Sequence, residues 1–311
     1  MDTLNGMPIE LSRRELLIGA LAVARPKGVL IDTHIHLFDP ARFPYHANAT
    51  YRPPAQTLDD YVKFVREARI DHAVIVHPEP YQDDHRYLEY CFSNEPSRGF
   101  FKGTCLFDPI SPQTPSRMET LAKKLPGRIV ALRIHENHDP KTPPTTSGAI
   151  RDRDLRDPAM KQTWRKAGEL GLAIQMHFIP FYAPQIYALA SAFRDVPVVL
   201  DHLARAGQGS PAEYEEVLKL AKLPRVYMKY SAVGYSSREK YPHRDAKPLV
   251  RRVFDAFGPD RIIWGGLGMN MPDFEKQAAL LDQMFDFASE TDRAKIRGLN
   301  ARQLYRFAAG V

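Results

Sequence analysis

Cysteine is nearly missing from this chain: Cys91 and Cys105 are the only two in 311 residues. Two thiols without metal-ligand spacing exclude a disulfide framework and a cysteine metal site, and both read as core fillers. Long apolar runs are missing as well. Nothing approaches the roughly 18–20 consecutive apolar residues of a membrane span, so no membrane partner is expected. A basic stripe is the third absence. Lys and Arg number 43 against 37 acids, a formal charge of +6, but the two signs are interleaved, as in Arg151-Asp152-Arg153-Asp154-Leu155-Arg156-Asp157. That run reads as a solvated face, nucleic acid is not expected as a partner, and the modest positive field suits a small anionic substrate.

What is present is the composition of a globular enzyme, 44% hydrophobic and 26% charged. From residue 29 onward, short β-rich apolar runs alternate with longer amphipathic ones, the pattern of βα units around a parallel sheet. The strand candidates are 29–33, 73–76, 101–106, 129–134, 173–176, 198–200, 226–228 and 262–264. Helical runs lie between them at 58–68, 118–125, 160–170, 186–193, 214–220, 249–257 and 274–287. Gly127, Gly171 and Gly258 close helical runs, and Pro197, Pro224 and Pro259 stand before strands. Eight such units in one chain of this length predict an α/β fold, a (β/α)8 TIM barrel spanning 28–311 as a single domain. The irregular, proline-rich stretch 138–157 should leave the fourth strand as a binding loop.

Residues 1–27 form a separate N-terminal extension that reads in two ways. Ser12-Arg13-Arg14-Glu15 before the apolar stretch 16–24, with Ala22-Val23-Ala24, has the look of a twin-arginine export signal, which implies a periplasmic location. Ser12 and Glu15 also make a capping box for a helix that could cover the lower mouth of the barrel, consistent with a cytoplasmic protein, the reading preferred here.

In a TIM barrel, chemistry sits where strands end. The ends here are polar: Asp32-Thr33-His34-Ile35-His36, His77-Pro78-Glu79, Arg133-Ile134-His135-Glu136, His177, Asp201-His202 and Lys229. Alternate strand residues face the same way, so His34 and His36 project together, as two imidazoles gripping one metal or one substrate must. Histidines converging on one rim single out His34, His36, His177 and His202 as catalytic candidates. The same four are the metal ligands if a metal is bound. Arg133, Lys229 and Arg205 are expected to hold a substrate carboxylate, although ion pairing with Asp201 or Glu136 is the alternative. His135 shares a face with Arg133, and Tyr182, Tyr230 and Tyr235 fall on loops where a phenol could position a substrate oxygen. His46, His72, His85 and His243 read as surface residues, and Asp32 as a structural acceptor of rim backbone groups.

Ile31-Asp32-Thr33-His34-Ile35-His36-Leu37-Phe38-Asp39, Val199-Leu200-Asp201-His202-Leu203-Ala204-Arg205 and Tyr227-Met228-Lys229-Tyr230-Ser231 resemble segments of the amidohydrolase superfamily. The nearest branch is the amidohydrolase-2 group with 2-pyrone-4,6-dicarboxylate lactonase and sugar lactonases, and the resemblance runs over 29–307. It implies a distorted TIM barrel that hydrolyses lactones, esters or related bonds. Some relatives use a divalent metal such as zinc, whereas the pyrone lactonase branch works without one. In the family, Trp-Gly-Ser/Thr-Asp usually follows the eighth strand. This chain reads Trp264-Gly265-Gly266-Leu267-Gly268-Met269-Asn270, with Leu267 where that aspartate would be.

A leucine neither ligates nor accepts a proton. Asn270, the next polar side chain, is a substrate contact and not a base, and Asp273 is reachable only if the loop folds back. The base then falls to His202, or to Glu79 or Asp201 if burial raises a carboxylate into range. Gly265, Gly266 and Gly268 could instead cradle an anion with their N–H groups. The cofactor is accordingly either none or one divalent metal. The expected activity is a hydrolase opening a lactone or ester of a small anionic carbohydrate- or aromatic-derived substrate. A lyase (decarboxylase or hydratase) and a degenerate ligand-binding barrel are the alternatives. A homo-oligomer is compatible with the sequence.

Overall fold

Eight strands run parallel in sequence order, β1 to β8, each laid beside the one before it. The computed structural model describes residues 28–268 and 270–308, so both readings of the N-terminal extension lie outside the described residues. The strands are β1 Ile31–Ile35, β2 His72–Ile75, β3 Phe101–Cys105, β4 Ile129–Glu136, β5 Ala173–Phe178, β6 Val198–Leu200, β7 Val226–Tyr230 and β8 Ile262–Trp264. The main helices are α1 Leu58–Ala68, α2 Arg86–Ser93, α3 Thr114–Lys124, α4 Pro158–Glu169, α5 Ala183–Ala192, α6 Pro211–Lys219, α7 Lys247–Phe257 and α8 Met271–Met284. All eight expected strands are present, and α2 is the helix that the pattern did not give. Its N-cap, His85, makes no side-chain capping bond, so the start lacks the usual signal.

Capping fixes where other helices begin. The Thr57 side chain accepts from the Asp60 N–H before α1, the Asp157 side chain from the Ala159 N–H before α4, and Ser210 forms a reciprocal capping box with Glu213 before α6. Each cap satisfies donors that a helix start leaves without partners.

Side chains close the cylinder between β8 and β1. The Thr33 hydroxyl donates to the Trp264 carbonyl at 2.6 Å, and Asp32 Oδ1 accepts from the Gly266 N–H at 2.8 Å and the His34 N–H at 2.9 Å. An added Cβ on Gly265 would stand 2.7 Å from the His34 Cβ, so only glycine lets the two strand ends approach this closely. At the opposite end, Ile31, Val74, Ala131, Ala173, Val199 and Ile263 form an apolar cluster with Ala301, Tyr305 and Phe307. The C-terminal segment covers that end. Each large side chain buried there contributes about 1.5–3 kcal/mol.

The stretch after β4 does leave the strand end as a long loop, but it is tied down. The Asp152 N–H returns to the His135 carbonyl at 2.9 Å. Arg153, expected on a solvated face, is 1% exposed, with its Nε on Asp108 at 3.0 Å. Only the Arg156–Asp154 part of that charged run is a surface pair.

Candidate active site

At the C-terminal ends of the strands lies a cavity of about 360 Å³. Its wall draws on β1 (His34), the turn after it (His36), and the connections that follow β2 (Glu79) and β6 (His202, Arg205). β4 and its loop supply Arg133, His135, Asn137 and Arg151, β5 supplies His177, and the segments after β1, β7 and β8 add Tyr51, Ala232, Tyr235 and Leu267. His135 is the register partner of His177 across β4 and β5, which sets their rings 5.3 Å apart. A register shift in β1 between Asp32 and Ile35 re-aims the strand end.

The β6 end has an unusual backbone. His202, Leu203, Ala204 and Arg205 have φ of 56°, 52°, 53° and 51°, a left-handed turn built without glycine. Each such residue costs about 1–2 kcal/mol, so packing must hold the turn in place. Leu203 and Ala204 are fully buried, and the Tyr214 hydroxyl donates to the Leu203 carbonyl at 3.0 Å. The turn throws both His202 and Arg205 onto the cavity. Arg205 donates from Nη1 to His177 Nε2 at 3.0 Å, and its guanidinium lies 4.3 Å from the Tyr235 ring centroid.

Asp201 is the charge centre beneath the wall. Arg133 Nη2 lies 3.0 Å from its Oδ2, and Lys229 Nζ 3.2 Å from its Oδ1. Gln175 Nε2 donates to Oδ2 at 3.1 Å. Burial opposes the charge, but Lys229 and Arg133 outweigh it and hold the carboxyl well below the usual carboxylate range. The histidines move the other way for imidazoles. Burial, reinforced by neighbouring cations, keeps His34, His135 and His177 far below their ordinary value, and brings His36 to about 3. His202 also falls to about 3, because burial outweighs the opposing pull of Asp201. All five rings are neutral near pH 7.

Tautomers follow from the partners. His36 Nδ1 lies 2.7 Å from the Val76 carbonyl, which only accepts, so Nδ1 carries the proton and Nε2 a lone pair. That lone pair faces His34 Nε2 at 3.2 Å. Either His34 donates there and turns a bare Nδ1 toward Asp201 Oδ1 at 3.7 Å, or two lone pairs meet. His34 Nδ1 has no hydrogen-bond partner. Ligand atoms of His34, Asp201 and His202 lie within 4.8 Å of one another, a group able to hold a metal ion.

The family model described as amidohydrolase matches residues 31–307. The chain belongs to the amidohydrolase family. It is 28% identical over 287 residues to a 4-sulfomuconolactone hydrolase of Hydrogenophaga intermedia, covering 88% of each chain. It is 27% identical over 300 residues to an L-fucono-1,5-lactonase of Burkholderia ambifaria, covering 89% of this chain and 95% of that one. Among solved structures, a "probable 2-pyrone-4,6-dicarboxylic acid hydrolase" of Acinetobacter baumannii with citric acid bound superimposes with a TM-score of 0.71 at 19% identity, covering 89% of this chain and 99% of that one. The last likeness shows the fold, an amidohydrolase TIM barrel.

In this amidohydrolase, His34, His36, Arg133, His135, His177, His202 and Arg205 come together on one wall. Four other residues expected at the substrate do not; one of them, Tyr230, is the last residue of β7 and not a loop residue, buried with its hydroxyl 3.4 Å from the Leu280 carbonyl. Lys229 is fully buried beneath the cavity, its Nζ donating to the Thr33 carbonyl at 3.0 Å and paired with Asp201, so the ion pair displaces the substrate role. Asn270 is exposed and caps α8, its Oδ1 accepting from the Asp273 N–H at 3.0 Å. Tyr182 turns to a separate cavity of about 220 Å³, where its hydroxyl lies 2.9 Å from His138 Nε2.

His177 also has its Nε2 occupied by Arg205 and stands outside the His34, Asp201 and His202 group, so it is not placed with the metal donors. The glycine turn does not cradle an anion through Gly266, whose N–H is engaged by Asp32. His85, expected at the surface, is buried against His77 and Phe107. The wall residues that sequence reasoning did not single out, Tyr51, Asn137 and Arg151, come from loops with no periodicity to reveal their direction.

Proposed function

We propose that this amidohydrolase opens the ring of a small anionic lactone by hydrolysis. The carrying observation is the make-up of the cavity wall: Arg133, Arg151 and Arg205, five neutral imidazoles and a single carboxylate. Arg133 is offset by Asp201 and Arg151 by Asp152, whereas among the described residues Arg205 has no acidic partner and a buried Nε without a hydrogen bond. An acid group on the substrate supplies what Arg205 lacks. The two curated relatives, both named for lactone substrates, support the bond type.

Attack of water on the ring carbonyl places negative charge on the carbonyl oxygen. Imidazole N–H groups fixed on the wall stabilise that charge better than water does, because they are already oriented. Arg205, fixed by His177 and Asn137, orients the substrate by its acid group.

The residues also fit a divalent cation. His34 and His202, with Asp201 beside them, would hold such an ion, and the adjacent His36 Nε2 would be available as a further donor. When bound it would supply Lewis-acid polarisation of the carbonyl and lower the pKa of water.

A panel of lactones with an indicator dye for released acid tests the function. Acid-bearing lactones should turn over, and Arg205→Ala should raise KM for them at least tenfold while leaving neutral lactones as they were. Carbon dioxide release from carboxylated substrates with no lactone turnover would replace this reading with a lyase.

A further inference from the structure

Hydrolysis needs a group that takes a proton from the attacking water, and the structure separates the three candidates, Asp201, His202 and Glu79. Asp201 lies under the wall with Arg133 and Lys229 on its two oxygens, so it has neither access nor proton affinity. His202 has its Nδ1 2.8 Å from the Ser231 hydroxyl and belongs to the group able to hold a metal ion, so its ring is engaged elsewhere. Asp32, a further buried acid nearby, is turned to backbone N–H groups and does not line the cavity.

Glu79 remains. Among the described residues, it is the one carboxylate on the cavity wall. It opens a single turn, Glu79–Tyr81, between Pro78 and Pro80, whose rings restrict the backbone. Its Oε1 accepts from Gln82 Nε2 at 2.8 Å and from the Thr50 N–H at 3.2 Å, Oε2 takes the longer branch of the Thr50 contact, 3.3 Å, and the Thr50 hydroxyl also interacts with the carboxylate. Two carboxylate oxygens offer about four lone pairs, so acceptor capacity is left for a water in the cavity. Gln82 is itself pinned, its Oε1 accepting from the Ile150 N–H at 2.6 Å. Glu79 is thus held between the loop after β1 and the loop after β4, a rigid mount for proton transfer.

We propose that Glu79 is the general base of the lactone hydrolysis, an assignment that rests on the lactonase reading. One O–H proton of water passes to Glu79 as the water oxygen bonds to the ring carbonyl carbon. The tetrahedral oxyanion then collapses, the ring C–O bond breaks, and the leaving ring oxygen takes the proton back from Glu79. The product hydroxy acid ionises, releasing one proton per turnover. Burial lifts the Glu79 carboxyl above its usual range, in the direction that makes it a better base near neutrality, while the Thr50 amide and Arg151 temper the lift. Arg151 and Tyr51 are its other titratable neighbours on the wall.

Glu79→Gln separates this role from loop anchoring, because the amide oxygen still accepts from Thr50 whereas the proton acceptor is gone. The expected result is a kcat lowered about 10²–10⁴-fold with KM changed by no more than a few-fold. The acid limb of the parent's kcat/KM, lying above the usual carboxylate range, should vanish from the residual rate, and formate should restore part of the kcat of Glu79→Ala. A Glu79→Gln enzyme within threefold of an active parent overturns the assignment alone. So does a rate loss that tracks lost thermal stability and is not rescued by formate. A parent inactive on every lactone overturns the lactonase reading and this assignment with it.

Discussion

The two ends of the barrel are built from opposite materials. At the strand starts, Ile31, Val74, Val199 and Ile263 meet Tyr305 and Phe307, an apolar cluster whose covering segment has, among the described residues, a single left-handed one, Arg306 at φ 55°. At the strand ends, His34, His202, Asp201, Arg133 and Lys229 are buried to 4% exposure or less. There, among the described residues, His34 Nδ1, His135 Nε2, His177 Nδ1 and Arg205 Nε have no hydrogen-bond partner, and His202–Arg205, Ala232 and Leu267 sit at positive φ. Left-handed residues and unmade buried hydrogen bonds each cost on the order of 1–3 kcal/mol, which only surrounding structure can offset. The floor therefore supplies stability and the mouth is held in a shape it would not keep alone. Unsatisfied donors and acceptors aimed at one cavity are what a ligand, an ion or a reacting group can satisfy.

The largest test of this contrast is Asp201→Asn. It leaves Arg133 and Lys229 buried without their counter-charge, so a stability loss of about 3–5 kcal/mol is expected in urea unfolding, together with loss of turnover. The sign with pH follows from the depressed carboxyl. Its contribution is complete above the unfolded value of about 4 and fades as pH falls through the lower folded value, so the parent and Asp201→Asn should converge in strong acid. A loss below about 1 kcal/mol would mean that the mouth charges are solvated and the contrast is wrong.

Two glycines sharpen the comparison with a smaller effect. A Cβ on Gly298, at the floor, would lie 2.3 Å from the Val29 carbonyl oxygen. A Cβ on Gly265, at the mouth, would lie 2.7 Å from the His34 Cβ and 3.4 Å from the His34 N. Overpacking of this kind costs about 1–3 kcal/mol in either place. Gly298→Ala should lower the melting temperature while the folded enzyme keeps its kcat. Gly265→Ala should lower kcat well beyond what its melting temperature accounts for, since it displaces the His34 ring. Equal loss of rate in both variants would abolish the distinction between the ends.

The floor was more legible in the sequence than the mouth, for a physical reason. Strands such as Val198–Leu200 and Ile262–Trp264 are short apolar runs set off by Pro197, Pro224 and Pro259, and that signal is local. Strand ends gave His34, His36, His135, His177 and His202, because a residue's place after a strand fixes which end of the barrel it occupies. Depth was not legible. Lys229 shares the rim but is drawn below it by Asp201, a contact across two strands. Asn270 carried a signal that could have excluded it, the Asn-x-x-Asp spacing to Asp273 that marks a helix cap. Glu79 was visible as a strand-end acid, but its standing as the one wall carboxylate among the described residues needed the loops of Thr50 and Ile150, whose paths have no period to read.

The smallest expected effect lies at the floor, which like the mouth has unpaired buried polar atoms among the described residues, at His72 Nδ1 and at the Tyr305 hydroxyl. Among the described residues the Tyr305 hydroxyl is buried without a hydrogen-bond partner, with the residue 2% exposed among aliphatic side chains. Tyr305→Phe removes an unsatisfied polar group and keeps the ring, so stability should stay the same or rise by up to about 1 kcal/mol in urea unfolding. Turnover should not change, because the ring packs on the strand starts, away from the cavity. A loss of stability would show that the hydroxyl has a partner such as an internal water, and that the apolar floor carries a polar contact of its own. A change in kcat would go further, since it would couple the floor to the mouth through the barrel interior, where Asp201 is the charge that acts on this hydroxyl.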